Sequence, residues 1–145
     1  MGLTDRFREY AQAFEDACAD DDWSRLEAYF TEDAVYDGGE GPDAVVRGRG
    51  PLLARLKGGV DAFDRRFDTR QLRFVDEPQE NSGRVRVKLE LACAKSGLPT
   101  CTISCTETAE FEGDRIALLR DEFDDEVLAA MDAWMSRYGA ALQDE

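Results

Sequence analysis

The chain has 145 residues and a formal net charge of −14, from 32 Asp and Glu against 18 Lys and Arg. That length favours one domain over residues 1–145, whose core can bury about 70% of the unfolded surface without a disulfide or a metal. A surface so acidic repels phosphate backbones and anionic lipid, which argues against nucleic acid or a membrane as partner. The chain is 43% hydrophobic, too apolar for a disordered protein. It contains no His. His-based triads, imidazole bases and most catalytic zinc sites are therefore excluded, and acid–base chemistry falls to carboxylates, Tyr, Cys, Lys or Arg.

The first element is an amphipathic helix, with Phe7, Tyr10, Ala11, Phe14, Ala17 and Cys18 at three- and four-residue steps. Ala19 to Asp22 is an acidic break, read as solvated, and Asp22 can cap a short second helix carrying Trp23, Leu26, Tyr29 and Phe30. Ala34 to Asp37 reads as a strand and Gly38 to Asp43 as a loop. Asp37, Glu40 and Asp43 could gather a cation there, although the spacing is not that of a calcium loop. Gly50-Pro51 opens a third helix striped by Leu52, Leu53, Leu56, Val60 and Phe63. The Gly58-Gly59 pair predicts a bend or an early end.

From Arg70 the period changes to two. Strands are predicted over 71–76, 84–94, 100–111 and 115–123, separated by turns near 78–83, 95–99 and 112–114. The strand over 84–94 alternates Val85, Val87, Leu89, Leu91 and Cys93 with Arg84, Arg86, Lys88, Glu90 and Ala92. Asp124 to Glu126 places acid at the start of a final helix striped by Val127, Leu128, Met131, Trp134, Met135, Tyr138 and Leu142. The order predicts an α+β domain with helices on one face of a curved antiparallel sheet.

Cys18, Cys93, Cys101 and Cys105 form no CxxC pair, Met1 to Arg6 lacks an apolar signal core, and no apolar run approaches about 18 residues. These features read as a cytoplasmic protein with free, buried thiols and no metal site.

Three segments in this order resemble the nuclear transport factor 2-like superfamily, especially its SnoaL-like branch. They are Phe30-Thr31-Glu32-Asp33-Ala34-Val35-Tyr36-Asp37, Val46-Arg47-Gly48-Arg49-Gly50, and the final turn and strand from Gly113 to Asp124. The resemblance implies a cone-shaped fold, a curved mixed or antiparallel sheet with helices packed on its concave face. It also implies a small-molecule pocket under the first and third helices and a homodimer formed through the sheet. In that case Val85, Val87, Leu89 and Leu91 would be the outer face, covered by a second subunit.

Two enzyme groups of this scaffold imply site residues. Limonene-epoxide-hydrolase-like enzymes use a basic residue and an acid two apart on one strand, a second acid on the last strand, and a Tyr and an Asn near the first strand. Here these fall on Lys88, Glu90, Asp121 and Tyr36, with Gly38 in place of the Asn and Leu119 in place of a pocket Trp. One carboxylate would deprotonate water while the other protonates the substrate, with the cation holding their pKa values apart. Ketosteroid-isomerase-like enzymes pair a Tyr with a protonated acid; Glu107 matches the acid, Phe14 stands at the Tyr, and the base position is Gly38.

Glu107 is informative without any resemblance. It shares its strand face with Cys101, Ile103, Cys105, Ala109 and Phe111, and a carboxyl buried on such a stripe has a raised pKa. The catalytic candidates are thus Glu107, Asp121, Glu90 and Lys88, and the ligand-binding candidates Phe14, Tyr36, Ile103, Cys105, Leu119 and Phe123. Alternation along the strand places Lys88 and Glu90 in solvent, whereas the resemblance turns them inward; a bulge would reconcile the two. Two functions remain open. One is a cofactor-free acid–base enzyme, a hydrolase or isomerase, acting on a small apolar substrate. The other is a non-catalytic ligand-binding or dimerisation module.

Overall fold

The computed structural model describes residues 2–39 and 44–142. Helix α1 (Leu3–Asp20) leads through a 3-10 helix (Trp23–Tyr29) into β1 (Phe30–Asp37). After β2 (Val45–Arg47) come α2 (Arg49–Ala62) and a short 3-10 helix (Asp64–Arg66). Strands β3 (Thr69–Phe74), β4 (Gln79–Asn81), β5 (Arg84–Ala94), β6 (Cys101–Glu112) and β7 (Arg115–Glu122) follow, and α3 (Asp125–Leu142) ends the described chain. The fold is α+β: seven strands in one sheet, in the order β2-β1-β7-β6-β5-β3, with β4 paired to β5. The sheet is mixed, because β1 and β7 run parallel while every other pair is antiparallel.

Local chemistry accounts for the ends of the helices. Asp21 closes α1 in the left-handed conformation, which a short polar side chain tolerates, with its N–H on the Ala17 carbonyl. Asp22 caps the 3-10 helix by accepting from the Ser24 N–H, as expected. The acidic break is solvated, as expected, and its exposed carboxylates also make surface ion pairs. Asp20 pairs with Arg25, and Asp21 accepts from Trp23 Nε1 and from Arg65. Gly48, at φ 98°, makes the turn into α2, and Pro51 sits within the first helical turn. The helix runs through Gly58-Gly59 to Ala62 rather than ending early. Two three-residue strands were not expected: β4 lies within the turn predicted over 78–83, and β2 in the stretch leading into the third helix.

Strand parity decides what faces the core. The pairing of β5 with β6 is unbroken from Arg84↔Glu110 to Cys93↔Cys101. With no bulge in β5, its odd-numbered positions stay on one face throughout. Val85, Val87 and Leu89 are buried there, in one core with Phe7, Tyr10 and Ala17 of α1, Leu52, Leu56 and Val60 of α2, and Ile116 and Leu119 of β7. A second cluster joins Cys93, Cys101 and Ile103 to Phe67 and Leu142, with Trp134 and Met131 of α3 against it. Trp134 also donates from Nε1 to the Pro99 carbonyl at 3.2 Å.

This arrangement corrects one expectation. The Val85, Val87, Leu89, Leu91 face is the inner face of the sheet, so it is not the apolar outer surface from which a homodimer was argued. The other face carries Arg84, Arg86, Lys88 and Glu90. Cys93 and Cys101 stand directly opposite each other across the β5–β6 turn, and all four thiols are free.

Candidate functional site

A cavity of about 520 Å³ lies between α1, α2, α3 and the inner face of the sheet. Helix α1 contributes Phe7, Tyr10 and Phe14, one turn or so apart on a single face. Gly59 of α2 also lines it, and a Cβ there would meet nothing within 4 Å, so the glycine leaves the space open. Inner positions of β3, β5, β6 and β7 supply apolar wall, among them Leu72, Phe74, Leu89, Leu91 and Leu119, and Met131 of α3 adds to it. All six expected ligand-binding residues, Phe14, Tyr36, Ile103, Cys105, Leu119 and Phe123, line this cavity.

Two carboxyls interrupt the apolar wall. Glu107 on β6 and Asp121 on β7 are register partners, so their side chains lie side by side on the inner face. Tyr36, from β1, donates its hydroxyl to Asp121 Oδ2 at 2.7 Å. The other carboxylate oxygen, Asp121 Oδ1, is buried with no donor directed at it. Glu107 lines the cavity beside Asp121, on the neighbouring strand. Two ionised carboxylates side by side repel each other; a proton on Glu107 removes that repulsion and supplies a donor beside the Asp121 oxygen that lacks one.

Electrostatics place that proton in the same way. Burial pushes the Glu107 carboxyl well above the ordinary carboxyl range, the Asp121 charge and hydrogen bond push it further, and Arg70 pulls weakly the other way. Tyr10 and Tyr36 are pushed up, first by burial and then by the nearby carboxyls, so both hydroxyls stay protonated. Burial likewise raises the Cys105 thiol, which argues against a thiolate nucleophile.

The other two catalytic candidates lie elsewhere. Lys88 is exposed on the opposite face of β5, and Glu90, on the same face, pairs with Arg73 at 2.8 Å. The unbroken β5–β6 ladder is the reason, since the bulge needed to turn them inward is absent from β5. Irregularities fall instead in β7, opposite Glu110 and Phe111, and in β1 between Phe30 and Val35. The acid that faces Asp121 is therefore Glu107, and the residue two before it is Cys105 rather than a cation. On α1, Tyr10 joins Phe14 in the wall one turn earlier, so the chain does place a tyrosine there. Asp37 is bonded by Arg120 at 3.2 Å, while Glu40 and Asp43 lie outside the described residues.

Sequence reading missed several polar groups in the wall, Arg70 foremost. Arg70 shares an inner face of β3 with Leu72 and Phe74. Its Nε donates to Asp64 Oδ2 at 2.5 Å, its Nη1 pairs with Glu15, and its guanidinium lies over the Phe14 ring at 5.5 Å. Burial alone would lower its pKa, but the bonds to Glu15 and Asp64 outweigh that and raise it. Arg55 of α2 also reaches the cavity. Among the described residues no three His, Cys, Asp or Glu side chains converge to hold a metal, and no helix is long and apolar enough to cross a membrane.

The SnoaL-like domain family matches residues 11–119. The chain belongs to that family. Solved structures with the same fold include a nuclear transport factor 2-like protein of unknown function from Burkholderia pseudomallei. It is 17% identical at TM-score 0.68, covering 94% of this chain and 99% of that one. TerC, crystallised with polyporic acid, is 15% identical at TM-score 0.68, with 93% and 99% covered. A limonene-epoxide-hydrolase-like epoxide hydrolase from M. tuberculosis is 16% identical at TM-score 0.62, with 92% and 94% covered. At such identities the likeness is one of fold. No curated protein matches the chain in sequence.

Proposed function

We propose that this SnoaL-like chain, acting as one domain, is a small-molecule pocket protein that performs cofactor-free acid–base chemistry. The reaction class is hydrolysis or isomerisation, on a small and mostly apolar substrate with one polar reactive group. The observation that carries this reading is the Glu107–Asp121 pair set into the wall of an otherwise apolar cavity. In it Glu107 is the acid, donating its proton to a substrate oxygen. Asp121 is the base, and Tyr36 fixes its orientation through the hydrogen bond to Oδ2. An acid and a base held in different protonation states by their surroundings are what such a reaction requires. The fold shared with an epoxide hydrolase makes epoxide opening one candidate, although no cation stands two before Glu107 here. The conical curvature of the sheet, the homodimer and the cytoplasmic location belong to this proposal and rest on the resemblance and composition.

The test is turnover of small epoxides, together with exchange of the α-protons of a cyclic ketone in deuterated water. Wild type is expected to act on at least one of these, and Glu107→Gln and Asp121→Asn to reduce the rate by about a hundredfold or more. Gly59→Leu, which fills the cavity without touching the acids, should weaken substrate binding. Ligand binding with no turnover of either kind would favour the non-catalytic module.

A further inference from the structure

We propose that the cavity selects uncharged molecules and rejects carboxylates, phosphates and sulfonates, with Asp121 as the residue that sets this preference. This deepens the pocket reading above and rests on it.

The argument starts from the cations. Arg70 is the cation most embedded in the wall, but its Nε and Nη1 are engaged by Asp64 and Glu15. The three side chains together carry one net negative charge. Arg55 is itself partnered. At the other pole, Tyr36 gives Asp121 a hydrogen bond without neutralising its charge, and the second carboxylate oxygen is buried with no donor. An anion entering the cavity thus meets negative charge at both poles. Its own charge would be stripped of water, and Arg70, the cation set into the wall, is already engaged by two carboxylates. The net charge of −14 on the whole chain opposes its approach as well.

An uncharged alcohol, ketone or epoxide meets different conditions. Its oxygen can accept from Glu107 or Tyr10, a hydroxyl can donate to Asp121, and its body lies against Phe7, Phe14, Leu72 and Phe74. Neither polar end has to lose a charge to bind.

Isothermal calorimetry at neutral pH with naphthyl methanol and naphthoate, which share one ring system, tests the proposal. The alcohol is expected to bind, and naphthoate to bind at least about tenfold more weakly, since one unscreened like charge in a buried site exceeds that factor. Asp121→Asn should bring naphthoate to within about threefold of the alcohol. Glu15→Gln, which releases part of Arg70 from outside the cavity, should also strengthen naphthoate, and it serves if the Asp121 variant fails to fold. Equal binding of the two probes by wild type overturns the proposal and leaves the pocket standing. An unchanged gap in both variants overturns it too. If neither probe binds wild type, the pocket reading fails, and this proposal fails with it.

Discussion

Above the ordinary carboxyl range the wild-type protein will lose stability as pH rises, and Glu107→Gln will remove most of that loss. The folded protein holds the Glu107 proton well above the carboxyl's ordinary value of 4.5, whereas the unfolded chain releases it near that value. Over the window between the two, the folded state binds more protons than the unfolded state. Stability then falls with rising pH, by up to about 1.4 kcal/mol per unit, and the stabilisation is complete only below the unfolded value. Few other groups can mimic this slope. The chain has no His, and burial pushes the Cys18 and Cys93 thiols up to about 11 and 12. Glutamine cannot ionise, yet its amide still donates to Asp121. Urea unfolding at a series of pH values should show a sloping profile for wild type and a nearly flat one for the variant, the gap widening as pH rises above the ordinary carboxyl range. Parallel slopes would mean that Glu107 is ionised in the folded protein.

Replacing Arg70 with Ala should cost about 3 kcal/mol of stability, one of the largest losses among single substitutions of charged residues in this chain. Asp64 and Glu15 converge on it from the 3-10 helix after α2 and from α1, and side-chain exposure is only 15% for Arg70 and 13% for Asp64. Removing the guanidinium leaves two shielded carboxylates facing each other and strips the cover from the Phe14 ring. The cost comes from the charges left behind more than from the bond that is lost. The triple variant Glu15→Gln, Asp64→Asn, Arg70→Met should therefore recover much of it. Denaturant midpoints of the single and triple variants check this. A triple variant no more stable than Arg70→Ala would show that lost packing dominates.

Much of the site was legible because sheet parity is a local property. Glu107 is a carboxylate among Cys105, Ile103 and Ala109 on one strand face, and Asp121 falls between Leu119 and Phe123 on the next. Two apolar stripes each broken by an acid predict acids on an inner wall, and the register brings them together. The same parity had Lys88 and Glu90 facing solvent, and it prevailed over the resemblance because β5 carries no bulge. Arg70 was less accessible. Alternation with Leu72 and Phe74 marks its face, but its partners lie 55 residues before it and on a three-residue helix that no periodicity announces. Strands as short as β2 and β4 leave no periodic signal, and their pairing is settled by the neighbouring strand. Tyr10 and Phe14 occupy the same face of α1, so their spacing alone did not show that a tyrosine also lines the cavity.

The shared proton can be observed directly by infrared spectroscopy of the protein in deuterated buffer at neutral pH. A protonated carboxyl gives a C=O band well separated from those of ionised carboxylates. We expect one such band in wild type, absent from Glu107→Gln and shifted in Tyr36→Phe, where the hydrogen bond to Asp121 is lost. A wild-type spectrum with no protonated carboxyl at neutral pH, or one whose band survives in Glu107→Gln, would contradict the acid–base pair on which this account of the cavity depends.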